Sequence, residues 1–200
     1  MFWNKISGLY DLIEKTYNGK ANRDAVNIVS SLIESGDDVL ECACGTGMFS
    51  VGIAQNAGHL TATDFASKML ARAERKCRRF GFSNCDFEFA DICNLAYDDN
   101  SYDKVVAANV IHLLDDPAEA LKEFKRITRP GGVIIVPTYI NKSCSSASRA
   151  AGLFNRLSAN FKRQFDIESY KEFFSDLGYS DVKYHVAEGR MPCGIAVIRA

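Results

Sequence analysis

The sequence predicts an α/β fold: one domain on a doubly wound, seven-stranded, mostly parallel sheet that ends in an antiparallel strand pair. Three observations carry that expectation. Short apolar runs alternate with amphipathic helical stretches between residues 38 and 136, the order that yields parallel strands joined by crossover helices. A Gly-x-Gly turn follows the first of those runs. The last third closes on a helix and two strands separated by Glu188-Gly189-Arg190, a hairpin-like turn.

The elements follow in order. Trp3, Ile6, Tyr10, Ile13 and Tyr17 recur at helical spacing and share one face; Gly19 is the expected stop. A second helix is expected from Arg23 to Ser35, capped by Asn22, striped by Val26, Val29, Leu32 and Ile33, and ended by Gly36. Asp38 to Ala43 reads as a buried strand, Met48 to Gln55 as a helix and His59 to Thr63 as the next strand. Ser67 to Arg79 is helical, with Met69, Leu70, Ala73, Cys77 and Phe80 inward. Phe87 and Phe89 alternate in a third strand, and Lys104 to Ala108 form a fourth. Asp116-Pro117-Ala118-Glu119 opens a helix with a cap, a first-turn proline and an acid. That helix ends before Pro130-Gly131-Gly132, and Val133 to Val136 form the fifth strand. Ile167 to Leu177 is the last helix, and Val182 to Val186 and Cys193 to Ile198 are the closing strands. The chain divides into N-terminal helices that could form a lid (1–36), a cofactor-binding core (37–140), a candidate substrate cover (141–165) and the C-terminal helix and strand pair (166–200).

Composition narrows the function. Lys plus Arg number 24 against 25 Asp plus Glu, a net charge of -1, without the basic excess of a general nucleic-acid binder. The N-terminus lacks a charged region followed by an apolar one, so no signal peptide is expected, and no apolar run is long enough to span a membrane. The seven cysteines are odd in number and irregular in spacing, as for reduced thiols in a cytoplasm. Cys42 and Cys44 have no second pair or histidine cluster beside them, so no metal is expected.

The chemistry concentrates in Glu41-Cys42-Ala43-Cys44-Gly45-Thr46-Gly47-Met48-Phe49-Ser50. Glycines where a strand hands over to a helix let the backbone approach a ligand. Asp64, at the end of the next strand, can accept hydrogen bonds from both hydroxyls of a ribose. A dinucleotide site wants a third glycine where Ser50 stands. Glu41 sits poorly beside a pyrophosphate and suits a ligand with a positive amine. A dinucleotide-dependent oxidoreductase is therefore the weaker reading.

These residues resemble the class I S-adenosylmethionine-dependent methyltransferases, small-molecule type, and Tyr10-Asp11 is similar to the N-terminal pair of the quinone-biosynthesis C-methyltransferases. Glu41, Gly45 and Gly47 match the acid-x-Gly-x-Gly-x-Gly motif, with Ala43 replacing its first glycine. Asp64-Phe65 with Met69-Leu70 match the ribose-binding acid and the helix after it; Ala66 stands where a capping serine is usual, so Ser67 is the expected cap. Ala90-Asp91-Ile92 match the adenine-side acid, Asn109-Val110-Ile111-His112 the segment after the fourth strand, and Arg129-Pro130-Gly131-Gly132 the turn into the fifth. The resemblance implies a Rossmann-like sheet, S-adenosylmethionine as cofactor and a small-molecule methyl acceptor. It implies cofactor contacts from Tyr10, Glu41, Ala43, Gly45, Thr46, Gly47, Asp64, Phe65, Met69, Asp91, Ile92, Asn109 and Val110. A cofactor-binding protein without catalysis is the other reading.

Two residues are candidates for the acceptor side. His112, beside Leu113 and Leu114, fits either a packed core histidine or a base facing the substrate. Tyr139 follows the fifth strand and fits either the crevice or the core. Pro137-Thr138-Tyr139 departs from the acidic-aromatic sequence expected there in the quinone enzymes. Lys142, Arg149, Arg156, Lys162 and Arg163 make the 141–163 stretch basic, as a solvated helical face or as a cover favouring an anionic acceptor.

Overall fold

The computed structural model describes residues 18–141 and 162–200. Helix α1 covers residues 18–31. It is followed by β1 (Asp38–Cys42), α2 (Ser50–Asn56), β2 (His59–Asp64), α3 (Ser67–Arg79), β3 (Cys85–Phe89) and β4 (Tyr102–Ala107). Then come α4 (Pro117–Ile127), β5 (Thr128–Tyr139), α5 (Ile167–Asp176), β6 (Val182–Ala187) and β7 (Cys193–Arg199). The strands form one sheet in the order β3-β2-β1-β4-β5-β7-β6. Pairs among β1 to β5 are parallel, and β7 runs antiparallel to both β5 and β6. This is the doubly wound, Rossmann-like sheet with an antiparallel close that the sequence predicts.

Alternation along the strands builds the two layers. Leu40, Val105 and Ile134 face one side, where Leu121 and Phe124 of α4 and Tyr170 and Phe174 of α5 complete a core. Their neighbours Val39, Val106 and Ile135 face the other side and meet Ala25 and Val29 of α1 and Ile53 of α2. Both faces are apolar because a parallel sheet is covered on both sides. Charged staples occupy the edge where the parallel strands begin: Lys104 pairs with Asp37, and Arg129 reaches Asp103 at 2.6 Å and Asp38 at 3.2 Å.

Several local expectations are corrected. Residues 18–31 are helical through Gly19 and Asn22, so neither ends nor caps a helix. Asn22 instead accepts a hydrogen bond from the Tyr139 hydroxyl at 2.9 Å. The helix stops at residue 31 rather than Ser35 because the Asp37 carboxylate takes the Glu34 N–H at 2.6 Å and builds a turn there. Strand β5 begins at Thr128, directly after α4, and absorbs Pro130 and Gly131 in a register shift against Tyr102 and Lys104; Gly131 adopts φ +82°. Ala66 caps α3, not Ser67, and its N–H is bound by the Asp64 carboxylate at 2.7 Å. Phe80 is 64% exposed rather than inward.

Of the 1–36 segment, the described part packs onto the core. Ala21, Ala25 and Val29 are buried in the core, and Asn18 grips the β6–β7 loop, donating to the Met191 carbonyl at 2.8 Å and accepting from its N–H. Tyr10 and the rest of 1–17 lie outside the described residues, as do Lys142, Arg149 and Arg156. Among the described residues, no helix is long and apolar enough to cross a membrane.

Candidate functional site

Strand order places the site. The connection after β1 leads to β2 on one side, and that after β4 leads to β5 on the other. The two central strands therefore part at their carboxyl ends, where doubly wound sheets hold ligands. A cleft of about 370 Å³ lies there, within the usual range for a small-molecule site.

The β1–α2 turn forms its floor. Ala43, Gly45 and Gly47 all adopt left-handed backbone, with φ of +53°, +58° and +79°. Cys44 donates its N–H to the Thr63 carbonyl at 2.8 Å, and Gly45 donates to the Asp64 carboxylate at 2.8 Å. Asp64 therefore ties the turn to the end of β2 and, through Ala66, to the start of α3. Each of its oxygens keeps a lone pair for a ligand. Burial raises its pKa, opposed by the two backbone N–H bonds.

Glu41 is 1% exposed at the base of the cleft. Ser50 donates its hydroxyl to Glu41 at 2.5 Å. Burial pushes the Glu41 carboxyl up to about 8, the Ser50 bond opposing the rise. Ser50, which stands where a dinucleotide site wants a glycine, satisfies this buried acid.

Of the expected cofactor residues, Glu41, Ala43, Gly45 and Thr46 line the cleft from β1 and its turn. Asp64, Phe65 and Met69 line it from β2 and α3, and Asp91, Ile92, Asn109 and Val110 from the ends of β3 and β4. Tyr10 lies outside the described residues. Gly47 is not in the lining: a Cβ there would stand 2.8 Å from the Ala73 backbone of α3. That glycine is required for helix packing rather than for ligand approach.

The sequence did not single out Cys44, Met48, Phe49, Thr63, Ala90, Ala108, Leu113 or Leu114, which also line the cleft. Neighbouring position in the motifs was their only signal. Phe65 packs against Phe89 with ring centroids 5.0 Å apart, an exposed aromatic ledge next to Asp91.

His112 and Tyr139 do not line the cleft. His112 is 3% exposed, with Nδ1 3.3 Å from the Thr138 hydroxyl, and burial lowers its pKa to about 4. Its carbonyl accepts the Lys162 N–H at 2.9 Å. Arg163 donates to the Leu114 carbonyl at 2.7 Å, and Lys162 pairs with Asp115. These two basic residues therefore clamp the loop after β4. Tyr139 is turned toward α1.

The charge of the lining is one-sided. Among the described residues it contains three carboxyl groups, Glu41, Asp64 and Asp91, and no lysine, arginine or histidine. Such a cleft suits a cationic ligand and disfavours a pyrophosphate.

Residues 40–136 match a family model described as a methyltransferase domain. The chain is 41% identical to the ubiquinone/menaquinone biosynthesis C-methyltransferase UbiE of Bdellovibrio bacteriovorus, over 52% of this chain and 44% of that protein. It is 23% identical to the demethylmenaquinone methyltransferase of Bacillus subtilis, over 92% of this chain and 93% of that one. A solved S-adenosylmethionine-dependent methyltransferase from Aquifex aeolicus superposes with a TM-score of 0.72 at 18% identity, covering 99% of this chain and 98% of the other. At that identity the superposition speaks to the fold.

Proposed function

We propose that the chain is a class I S-adenosylmethionine-dependent methyltransferase with S-adenosylmethionine as its cofactor, a reading supported by the methyltransferase-domain match over residues 40–136 and by the quinone-biosynthesis relatives. The proposal is that it methylates a ring carbon of a small hydroxylated aromatic acceptor of the quinol class. The observation that carries the cofactor end is the lining of the cleft, which among the described residues is acidic and holds no cation. The acceptor class rests on the names of the relatives, which are quinone-biosynthesis methyltransferases.

The residues present fit the cofactor. Gly45 at φ +58° leaves open space where a Cβ would stand, so a ligand can approach its backbone. In this proposal Asp64 takes the ribose hydroxyls, Asp91 and the Phe65 ring flank the adenine, and Glu41 offers a carboxylate beneath the positive end. Bound there, the cofactor would supply an activated methyl group on a sulfonium sulfur for transfer to the acceptor ring carbon, whose displaced proton would pass to water. The leaving group is already activated, so the chain mainly positions two reactants and excludes water. Leu113 and Leu114 supply the apolar wall for that exclusion, held by Arg163. His112 stays neutral down to about pH 4 and packs against Thr138; its role here is to hold the loop rather than to move a proton.

The test is twofold. Calorimetry should detect binding of S-adenosylhomocysteine and none of NADH. Mass spectrometry should detect a 14-Da gain on a hydroxylated quinol when S-adenosylmethionine is present. NADH binding in place of S-adenosylhomocysteine defeats the cofactor assignment. Methylation of amines or thiols, with quinols untouched, defeats the acceptor class.

A further inference from the structure

Asn109 stands out at the carboxyl end of β4 on three independent counts. Its backbone adopts φ +52°, left-handed for a residue with a side chain. Its Oδ1 is shielded from solvent and has no hydrogen-bond partner, the one such buried side-chain atom among the described residues. It lines the cleft. A strained backbone and an unsatisfied buried oxygen at one residue each cost stability. They coincide at a position where a ligand can repay them.

Position along the cleft indicates which ligand. Asp91 lies at the end of β3, Asp64 at the end of β2, and Glu41 and Gly45 at the end of β1. A nucleoside cofactor laid along these groups has its adenine at β3 and its reactive end at β1. Asn109 lies one strand further on, its N–H bound to the Pro137 carbonyl of β5 at 2.8 Å. Its neighbours in the lining there are apolar: Ala108, Val110, Leu113 and Leu114. Asn109 is therefore the polar residue at this otherwise apolar end of the lining.

We propose that Asn109 is a specificity-determining residue, whose carboxamide oxygen accepts a hydrogen bond from a hydroxyl of the acceptor beside the carbon to be methylated. The resemblance groups Asn109 with the cofactor contacts; the geometry assigns it to the acceptor. This inference rests on the proposed quinol-class acceptor and adds a discrimination to it. A quinol carries O–H donors that satisfy Oδ1. The oxidised quinone carries only carbonyl oxygens, which leave Oδ1 unpaired. A site with a buried group requiring a partner rejects the analogue that lacks it. The ring carbon next to a hydroxyl is electron-rich only in the reduced form, so the same contact admits the form that can react.

The experiment uses the full chain loaded with S-adenosylhomocysteine, with 1,4-naphthoquinol kept reduced and 1,4-naphthoquinone as probes. Asn109→Gly removes the carboxamide, and glycine suits the left-handed backbone, so the fold is retained. The parent should bind the quinol about 2- to 13-fold tighter than the quinone, the factor for one neutral hydrogen bond. In Asn109→Gly that ratio should fall to near 1, with S-adenosylhomocysteine affinity within about threefold of the parent. A variant that keeps the parent's ratio overturns the assignment. So does a variant whose S-adenosylhomocysteine affinity drops about 10-fold while the ratio holds, because Asn109 then faces the cofactor. A parent that binds neither form overturns the acceptor reading and this inference with it.

Discussion

Asp64 receives N–H bonds from Gly45 at 2.8 Å and Ala66 at 2.7 Å, so its side chain is aimed before any ligand arrives. A carboxylate held in this way forms ligand hydrogen bonds with little ordering cost. Hydrogen bonds to a charged group are worth about 1.5–3 kcal/mol. Asp64→Ala should therefore weaken S-adenosylhomocysteine binding about 10- to 150-fold by calorimetry. The same change leaves two N–H groups without their carboxylate, so the melting temperature should fall as well. Asp64→Asn keeps one acceptor oxygen and should fall between parent and alanine on both readouts. Equal affinity in the parent and Asp64→Ala would remove Asp64 from the site.

At the scale of the element, the β1–α2 turn carries opposite strains at two residues. Ala43 adopts φ +53° with a side chain, where the motif it resembles has glycine. The left-handed conformation costs alanine about 1–2 kcal/mol, and the greater unfolded-state freedom of glycine returns about 0.4–1 kcal/mol of that. Ala43→Gly should stabilise the protein by about 0.5 kcal/mol, read by denaturant midpoint. Gly47→Ala should do the reverse, because its Cβ would meet the Ala73 backbone at 2.8 Å. A loss of about 1–3 kcal/mol is expected from overpacking there. A neutral Gly47→Ala would show that α3 can shift without cost. The turn was legible in the sequence because glycines, a preceding acid and Asp64 fall at fixed steps along local segments. The strand–helix alternation was legible for the same reason, since period and length are local properties. The start of β5 was not, because its register is set by Tyr102 and Lys104 on another strand. Nor was the end of α1, which Asp37 fixes through a side chain beyond the helix. His112 and Tyr139 could be placed after the right strands, but sequence spacing does not say which way a loop side chain points. The apolar wall of Leu113 and Leu114 carried no sequence signal of its own.

The whole molecule feels two buried titratable groups of opposite sign. Glu41 has its pKa raised by burial from 4.5 to about 8. Between those values the folded chain holds a proton that the unfolded chain has released, so stability falls as pH rises. His112 is lowered by burial from 6.5 to about 4. Between those values the unfolded chain holds the extra proton, so stability rises with pH. The two slopes oppose each other between about pH 4.5 and 6.5 and leave a plateau. Above pH 6.5 His112 is neutral in both states, and Glu41 dominates the slope. Each pH unit is worth about 1.4 kcal/mol at full effect, so the protein without ligand should lose about 2 kcal/mol between pH 6.5 and 8. The raised Asp64 carboxyl has the same sign as Glu41 and does not oppose that loss. Glu41→Gln keeps the shape of the side chain and an oxygen for the Ser50 hydroxyl, and it removes the titration. Its melting temperature should stay level from pH 6.5 to 8, while its stability falls below pH 6.5, where the Glu41 counterweight to His112 is gone. Thermal scans of parent and variant in matched buffers read both limbs. A parent whose stability is flat above pH 6.5, or a Glu41→Gln variant that declines in parallel with it, would show that the buried carboxyl is not what sets the profile. Ionisation of Glu41 is also what the ammonium group of bound S-adenosylhomocysteine would require of it. Parent titrations with S-adenosylhomocysteine at pH 7 should therefore release up to one proton, measured by repeating the calorimetry in buffers of different ionisation enthalpy, and Glu41→Gln should release none.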